Sequence, residues 1–332
     1  MEISRPFIRL PWAFDAQRMA EEVSGIDPTA WMQHPSRLTG NSAAALISRD
    51  GGDNDDFEGA MALTAHLRAS PYLQQVLASF GEVLGRSRLM KLSAGSEVAT
   101  HVDFNYHWYT RVRIHIPVVT NSGVTFSCGD RSLNMRAGDS WIFNSWRRHR
   151  VVNDSGDDRI HLVVDTSGSA RFWQIVREME AMSPEENEQL DDSKLQFVAY
   201  DPAARPAILT ERFNIAPVMA PGEMDALVQD LVSDFESNPD NDPELVTRYK
   251  RLMFDMCKNW RELWHLYGYQ RAGWPHYRRL LESVRRQLHP DRRALATSSN
   301  DLGVNPVIIQ RILRPALAVD EFDHFVDPDK SS

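Results

Sequence analysis

Residues 137–164 read AGDSWIFNSWRRHRVVNDSGDDRIHLVV. Three short runs of β-branched and aromatic residues, 140–144, 149–153 and 159–164, are punctuated by Ala137-Gly138-Asp139 and Asn153-Asp154-Ser155-Gly156, residues that favour tight turns. The same grammar continues toward the amino terminus. Candidate strands lie at 88–92, 97–102, 110–118, 124–127 and 132–135, with turns at Ala94-Gly95, Asn121-Ser122-Gly123 and Cys128-Gly129-Asp130. Eight strands this short, at this spacing, point to a jelly-roll or double-stranded β-helix.

The flanks read differently. Upstream, 16–23 is an amphipathic helix candidate, 49–57 an Asp/Gly-rich loop and 58–84 a helical stretch. Downstream, 183–192 is acidic and reads as a solvated helix and loop. Beyond Arg205 the pattern becomes helical, with runs at 222–235, at 243–267 behind the N-cap-like Asp242-Pro243-Glu244, and at 274–288. The expected architecture is mainly β with α. A double-stranded β-helix core (jelly-roll, cupin-like) with N-terminal helices occupies residues 1–204, and a helical C-terminal domain occupies 205–332.

The 332 residues carry 46 acidic and 37 basic side chains, a formal charge of −9, which argues against general nucleic-acid binding. Cys128 and Cys257 cannot form a disulfide framework and have no CxxC partner, which suits a reducing cytoplasm. No secretory signal and no membrane-spanning apolar run is visible, so a cytoplasmic protein is expected. Twelve Lys/Arg against four acids between Leu245 and Arg293 form a basic patch. It reads either as a solvated helical face or as a surface for an acidic protein, an anionic substrate, nucleic acid or a second copy of the chain.

The chemistry concentrates in the strands. His101-Val102-Asp103 places two potential ligands at i and i+2, which share one face of a strand. With His149 they make a two-histidine, one-carboxylate set, the facial triad of non-haem Fe(II) oxygenases. Arg159 lies ten residues past His149, across the 153–158 turn, so the two are expected on paired strands of a hairpin. A cation there suits the distal carboxylate of 2-oxoglutarate. The strand 110–118 alternates Arg111, Arg113 and His115 with Val112, Ile114 and Ile116. Its polar face reads as a carboxylate-attracting cavity lining, or, for Arg111 alone, equally well as a solvent-facing stripe.

A His-x-Asp triplet by itself is weak. His289-Pro290-Asp291 is a second one, in a helical, arginine-rich context with only His324 beyond it, and reads as a helix end. His34, His66, His265 and His276 have no ligand-spaced partner. His107 and Trp108 could line a pocket mouth. His161 is expected to form a structural hydrogen bond, and Trp260 with Trp264 to pack in a core.

The segments His101-Val102-Asp103, Arg111 to His115, Ala137 to Phe143, His149 to Asn153 and Arg159 to Leu162 resemble the aspartyl/asparaginyl β-hydroxylase family over roughly residues 30–175. That resemblance implies Fe(II), with 2-oxoglutarate and O2 as co-substrates and succinate and CO2 as co-products. It implies that His101, Asp103 and His149 hold the iron and that Arg159 pairs with the distal carboxylate of 2-oxoglutarate. By the same resemblance His115 touches the co-substrate and Arg113 faces an acidic group of the substrate. The aspartate ligand places the chain nearer the bacterial branch, beside cis-proline hydroxylases. The expected activity is therefore 2-oxoglutarate-dependent hydroxylation of an unactivated C–H in a carboxylate-bearing amino acid or peptide side chain. The alternative is a non-catalytic jelly-roll module that senses a carboxylate ligand.

Overall fold

In the computed structural model, residues 3–33 and 40–319 are described. The strands are β1 (Phe7–Phe14), β2 (Met32–Gln33), β3 (Asn41–Arg49), β4 (Met61–Leu63), β5 (Leu84–Leu92), β6 (Glu97–His101) and β7 (Val112–Val119). They continue with β8 (Val124–Cys128), β9 (Arg131–Leu133), β10 (Asp139–Phe143), β11 (His149–Asn153), β12 (Arg159–Thr166) and β13 (Gln196–Val198). The larger sheet runs β13-β1-β10-β7-β12-β5-β3-β2, with β4 paired to β3, and the smaller runs β6-β11-β8-β9. Successive strands from β5 to β12 thus alternate between sheets, apart from the β8–β9 hairpin. This two-sheet crossing pattern fits the expected jelly-roll core.

Side-chain alternation explains the layering. In β7, Val112, Ile114, Ile116 and Val118 point to the outer face of the larger sheet. There they join Leu89, Leu162 and Val164 against Met19 and Val23 of the helix Ala16–Ser24, Leu73 and Val76 of Pro71–Ser79, and Phe172 and Val176 of Ala170–Glu180. The inner face is filled by Phe7, Leu92 and Trp141 with Phe143, against Val124, Phe126 and Val151 of the smaller sheet. Both faces of the larger sheet are therefore buried. Arg113 and His115 cannot be a solvent-facing stripe.

Two expectations about the N-terminal flank are corrected. It supplies four strands as well as helices. Phe7–Phe14 and Asn41–Arg49 are buried on nearly every side chain, so neither shows the alternation that betrays a half-buried strand. The stretch 58–84 is not one helical run. It divides into β4, the short helix Ala65–Arg68 capped by Thr64, the helix Pro71–Ser79, and the start of β5.

Contacts divide the chain into two compact units. One comprises residues up to 102 together with 110–212; the other joins 103–109 to the residues from 213 onward. The second contains the helices Pro221–Glu236, Pro243–Tyr267 and Trp274–Gln287. Trp260 is fully buried there and donates its indole N–H to the Met219 carbonyl at 2.9 Å, whereas Trp264 is half-buried beside Tyr269. No helix among the described residues is long and apolar enough to cross a membrane.

Candidate metal centre

His149 and His101 face each other across the β11–β6 ladder, and their rings lie 4.1 Å apart between centroids. Each imidazole is oriented by its own strand. His101 Nδ1 is 2.8 Å from the Ala99 carbonyl, and His149 Nδ1 is 2.9 Å from the Arg147 carbonyl. A carbonyl oxygen only accepts, so both Nδ1 atoms carry the proton and Nε2 is the ring atom of each that can ligate a metal. Asp103 adds a carboxylate, and one ligand atom from each of the three residues falls within 4.8 Å of the others. His149 is buried and His101 exposed, so the group opens to solvent along β6, the edge strand of the smaller sheet.

The donor set fits a divalent iron. Two neutral imidazoles and one carboxylate are the ligand set of non-haem Fe(II) centres. Cys128 is opposite His149 in the β11–β8 register, yet its thiol donates to the Asn144 carbonyl at 3.4 Å. Burial pushes that thiol up to about 12, and Cys128 is not one of the three residues whose ligand atoms converge.

On the inner face of the larger sheet, Arg159 and His161 share one side of β12. The guanidinium Nη2 donates to His161 Nδ1 at 2.7 Å, which makes His161 an acceptor there and puts its proton on Nε2. This is the structural hydrogen bond expected of His161. Both residues are almost fully buried. Burial pushes Arg159 down to about 9, still a cation at neutral pH. His115, paired with Val163 of β12 and Trp141 of β10, packs edge-on to Phe143 and Phe126 with centroids 5.2 and 5.7 Å away. Burial, then the charges of Arg159 and Arg113, hold its pKa well below the ordinary histidine value. Burial and Arg159 do the same for His161. Both rings are neutral.

Arg159 does not sit on a hairpin with His149, contrary to the expectation from spacing. β11 pairs with β6 and β8 in the smaller sheet, β12 with β5 and β7 in the larger. The turn between them changes sheets. Buried Asn153 holds it, donating from Nδ2 to the carbonyls of Leu92, Ser93 and Asp157 at 3.0, 3.1 and 2.8 Å. Arg111 is likewise corrected as a ligand for an external carboxylate. Its Nε and Nη2 donate to the two oxygens of Glu211 at 2.8 and 2.9 Å, and both side chains are less than a tenth exposed.

Arg113 stands opposite Asp165 in the β7–β12 register. It belongs to a charged layer that sequence reasoning missed. Arg86 Nη1 donates to the Asp55 carboxylate at 2.7 Å, Arg88 donates to the same oxygen, and Arg86 Nε lies 3.7 Å from Asp165. Arg86 and Arg88 are two apart on β5, the same i, i+2 signal that singled out Arg113 and His115. Asp55, on the 50–60 loop, carries no sequence signal of its own.

His289 follows the helix Trp274–Gln287 and accepts the Asp291 N–H on Nδ1 at 3.1 Å, a local turn. His34 and His324 lie outside the described residues. Among the described residues the one cluster of this kind is His101, Asp103 and His149.

Residues 47–168 match the family model described as aspartyl/asparaginyl β-hydroxylase. The L-proline cis-4-hydroxylase of Rhizobium meliloti (strain 1021) is 25% identical over 175 residues, 50% of this chain and 62% of that protein. The chain thus spans under two thirds of this curated relative's length. Similar solved structures include a 2OG-Fe(II) oxygenase-family oxidoreductase from Burkholderia pseudomallei, with 15% identity, TM-score 0.37 and coverage of 49% of this chain and 85% of that one. A Pseudomonas putida prolyl-4-hydroxylase aligns with 12% identity, TM-score 0.32 and coverage of 49% and 92%.

Proposed function

We propose that this chain, whose residues 47–168 match the aspartyl/asparaginyl β-hydroxylase family model, is an Fe(II)- and 2-oxoglutarate-dependent hydroxylase. Its substrate class is a small carboxylate-bearing molecule of amino-acid type, and the named relative, an L-proline hydroxylase, supports that choice. The observation that carries the reading is the triad itself. Two histidines are oriented by backbone carbonyls, and one ligand atom from each of them and from Asp103 falls within 4.8 Å of the others.

With O2 and 2-oxoglutarate, bound iron supplies an oxidant able to hydroxylate an unactivated C–H, and the co-substrate leaves as succinate and CO2. The protein's part is geometry and charge. His101, Asp103 and His149 would hold the iron. Arg159 receives the distal carboxylate of 2-oxoglutarate, and its hydrogen bond to His161 sets the direction of the guanidinium. His115 stays neutral beside the co-substrate because burial and two arginines oppose its protonation. Arg113 meets the carboxylate of the substrate. Phe126, Phe143 and Trp141 make this inner face apolar, where charge-assisted bonds are stronger than in water.

The test is anaerobic titration of the metal-free protein with Fe(II) and then 2-oxoglutarate, followed by visible charge-transfer absorption. Arg159→Ala removes a charged donor, whose bonds are each worth about 1.5–3 kcal/mol. Losing two raises the 2-oxoglutarate requirement by roughly 100-fold or more. Asp103→Ala abolishes succinate release. No absorption change in the wild type refutes the proposal and returns the chain to a carboxylate-sensing module.

A further inference from the structure

Asp103 is the ligand at which the backbone leaves the strands. Residues 103–109 group with the C-terminal helical residues, not with the strands that precede and follow them. One contact of that kind comes from Arg311. It is only 3% exposed, and its Nε donates to the Phe104 carbonyl at 3.2 Å. Its guanidinium carbon lies 4.8 Å from the centroid of Tyr109, and its Nη1 lies 3.8 Å from Asp230. The same segment is tied a second time by Tyr106, whose hydroxyl donates to the Glu223 carboxylate.

Two features mark Arg311 as more than packing. A buried guanidinium is costly to desolvate, so the groups it meets are held firmly once it is in place. Two of those groups, the Phe104 carbonyl and the Tyr109 ring, belong to the segment that starts with Asp103. Arg311 also sits in Ile308–Leu313, a π-helical turn between Val304–Val307 and Arg314–Ala316. Such widened turns are rare and occur frequently at functional sites.

We infer that Arg311 is a positioning residue for metal binding: by fixing the Phe104 peptide it sets the backbone next to Asp103 and so the approach of that carboxylate to the metal. The inference rests on the reading of Asp103 as a ligand. It gives the helical residues a task in the chemistry although they contribute no ligand themselves. Groups that orient a metal ligand without touching the metal typically change affinity by about 10–100-fold when removed.

The experiment is Mn(II) binding to the metal-free chain of 332 residues, followed by electron paramagnetic resonance, with thermal unfolding measured in parallel. Arg311→Gln weakens Mn(II) by about tenfold or more and broadens the bound signal, while Arg311→Lys, which keeps charge and one donor, recovers part of the loss. Tyr106→Phe leaves no buried charge behind and serves if Arg311→Gln fails to fold. It weakens Mn(II) by roughly fivefold, the equivalent of one hydrogen bond. Asp103→Ala is the reference. If it loses Mn(II) while folded Arg311→Gln and Tyr106→Phe bind as the wild type does, the inference is overturned and the ligand reading stands. If Asp103→Ala itself binds normally, the ligand reading fails and takes the inference with it.

Discussion

Lowering the pH should unfold the metal-free protein earlier than its carboxylates alone would require, because His115 and His161 are buried in neutral form. Each has a folded-state pKa well below the ordinary value, from burial first and from Arg159 next. The unfolded chain takes up these protons near pH 6.5, whereas the folded chain does not. Their contribution to stability is therefore complete above that pH and is lost as pH falls through it. From pH 7 to pH 5 each imidazole that stays neutral costs at most about 2 kcal/mol, so the pair costs at most about 4 kcal/mol. A domain of ordinary stability has only about 5–15 kcal/mol in total. Urea unfolding in a chelating buffer at half-unit pH intervals measures the slope directly. The double variant His115→Gln, His161→Gln should lose most of the dependence between pH 7 and 5 and keep the steeper acid limb. Superimposable pH profiles for wild type and variant would refute the reasoning.

Two further perturbations probe the frame around the site. Glu211→Ala leaves the buried Arg111 guanidinium without its bidentate partner and should cost about 3–5 kcal/mol in chemical denaturation. Arg111→Met with Glu211→Leu should cost far less, and equal losses would contradict the pairing. Gly138 has φ +85°, and a Cβ built there falls 2.4 Å from the Phe14 carbonyl oxygen. Gly138→Ala should destabilise by at least about 1 kcal/mol and speed hydrogen exchange at the Phe14 amide, which donates to the Gly138 carbonyl at 2.9 Å; an unchanged exchange rate would count against it.

What was legible in the sequence followed from period and punctuation. β11 and the helix Pro243–Tyr267 lie where the pattern put them, because one is bounded by turn residues and the other opens on an Asp-Pro-Glu cap. The triad was found through i, i+2 spacing although the strand ends at His101, so Asp103 joins the two histidines from just beyond it. Pairing partners were not. Nothing local distinguishes a hairpin turn from one that changes sheets, and the deciding residue, Asn153, acts through carbonyls on the preceding β5–β6 turn as well as its own. The Ala-rich β3 was hidden by its composition. Alanine favours helix in isolation, and only burial on both faces of a sheet overrides it. Glu211 and Arg311 were illegible as functional groups because each matters through a partner at least 100 residues away in the chain.

The placement of Cys128 bears on how long such a centre would survive its own chemistry. Oxidative damage to a cysteine starts from its thiolate. Cys128 sits across the ladder from His149, and its burial and raised pKa keep it in the thiol form. Should the proposed iron centre turn over, the packing of the inner face would also shield this sulfur from oxidation.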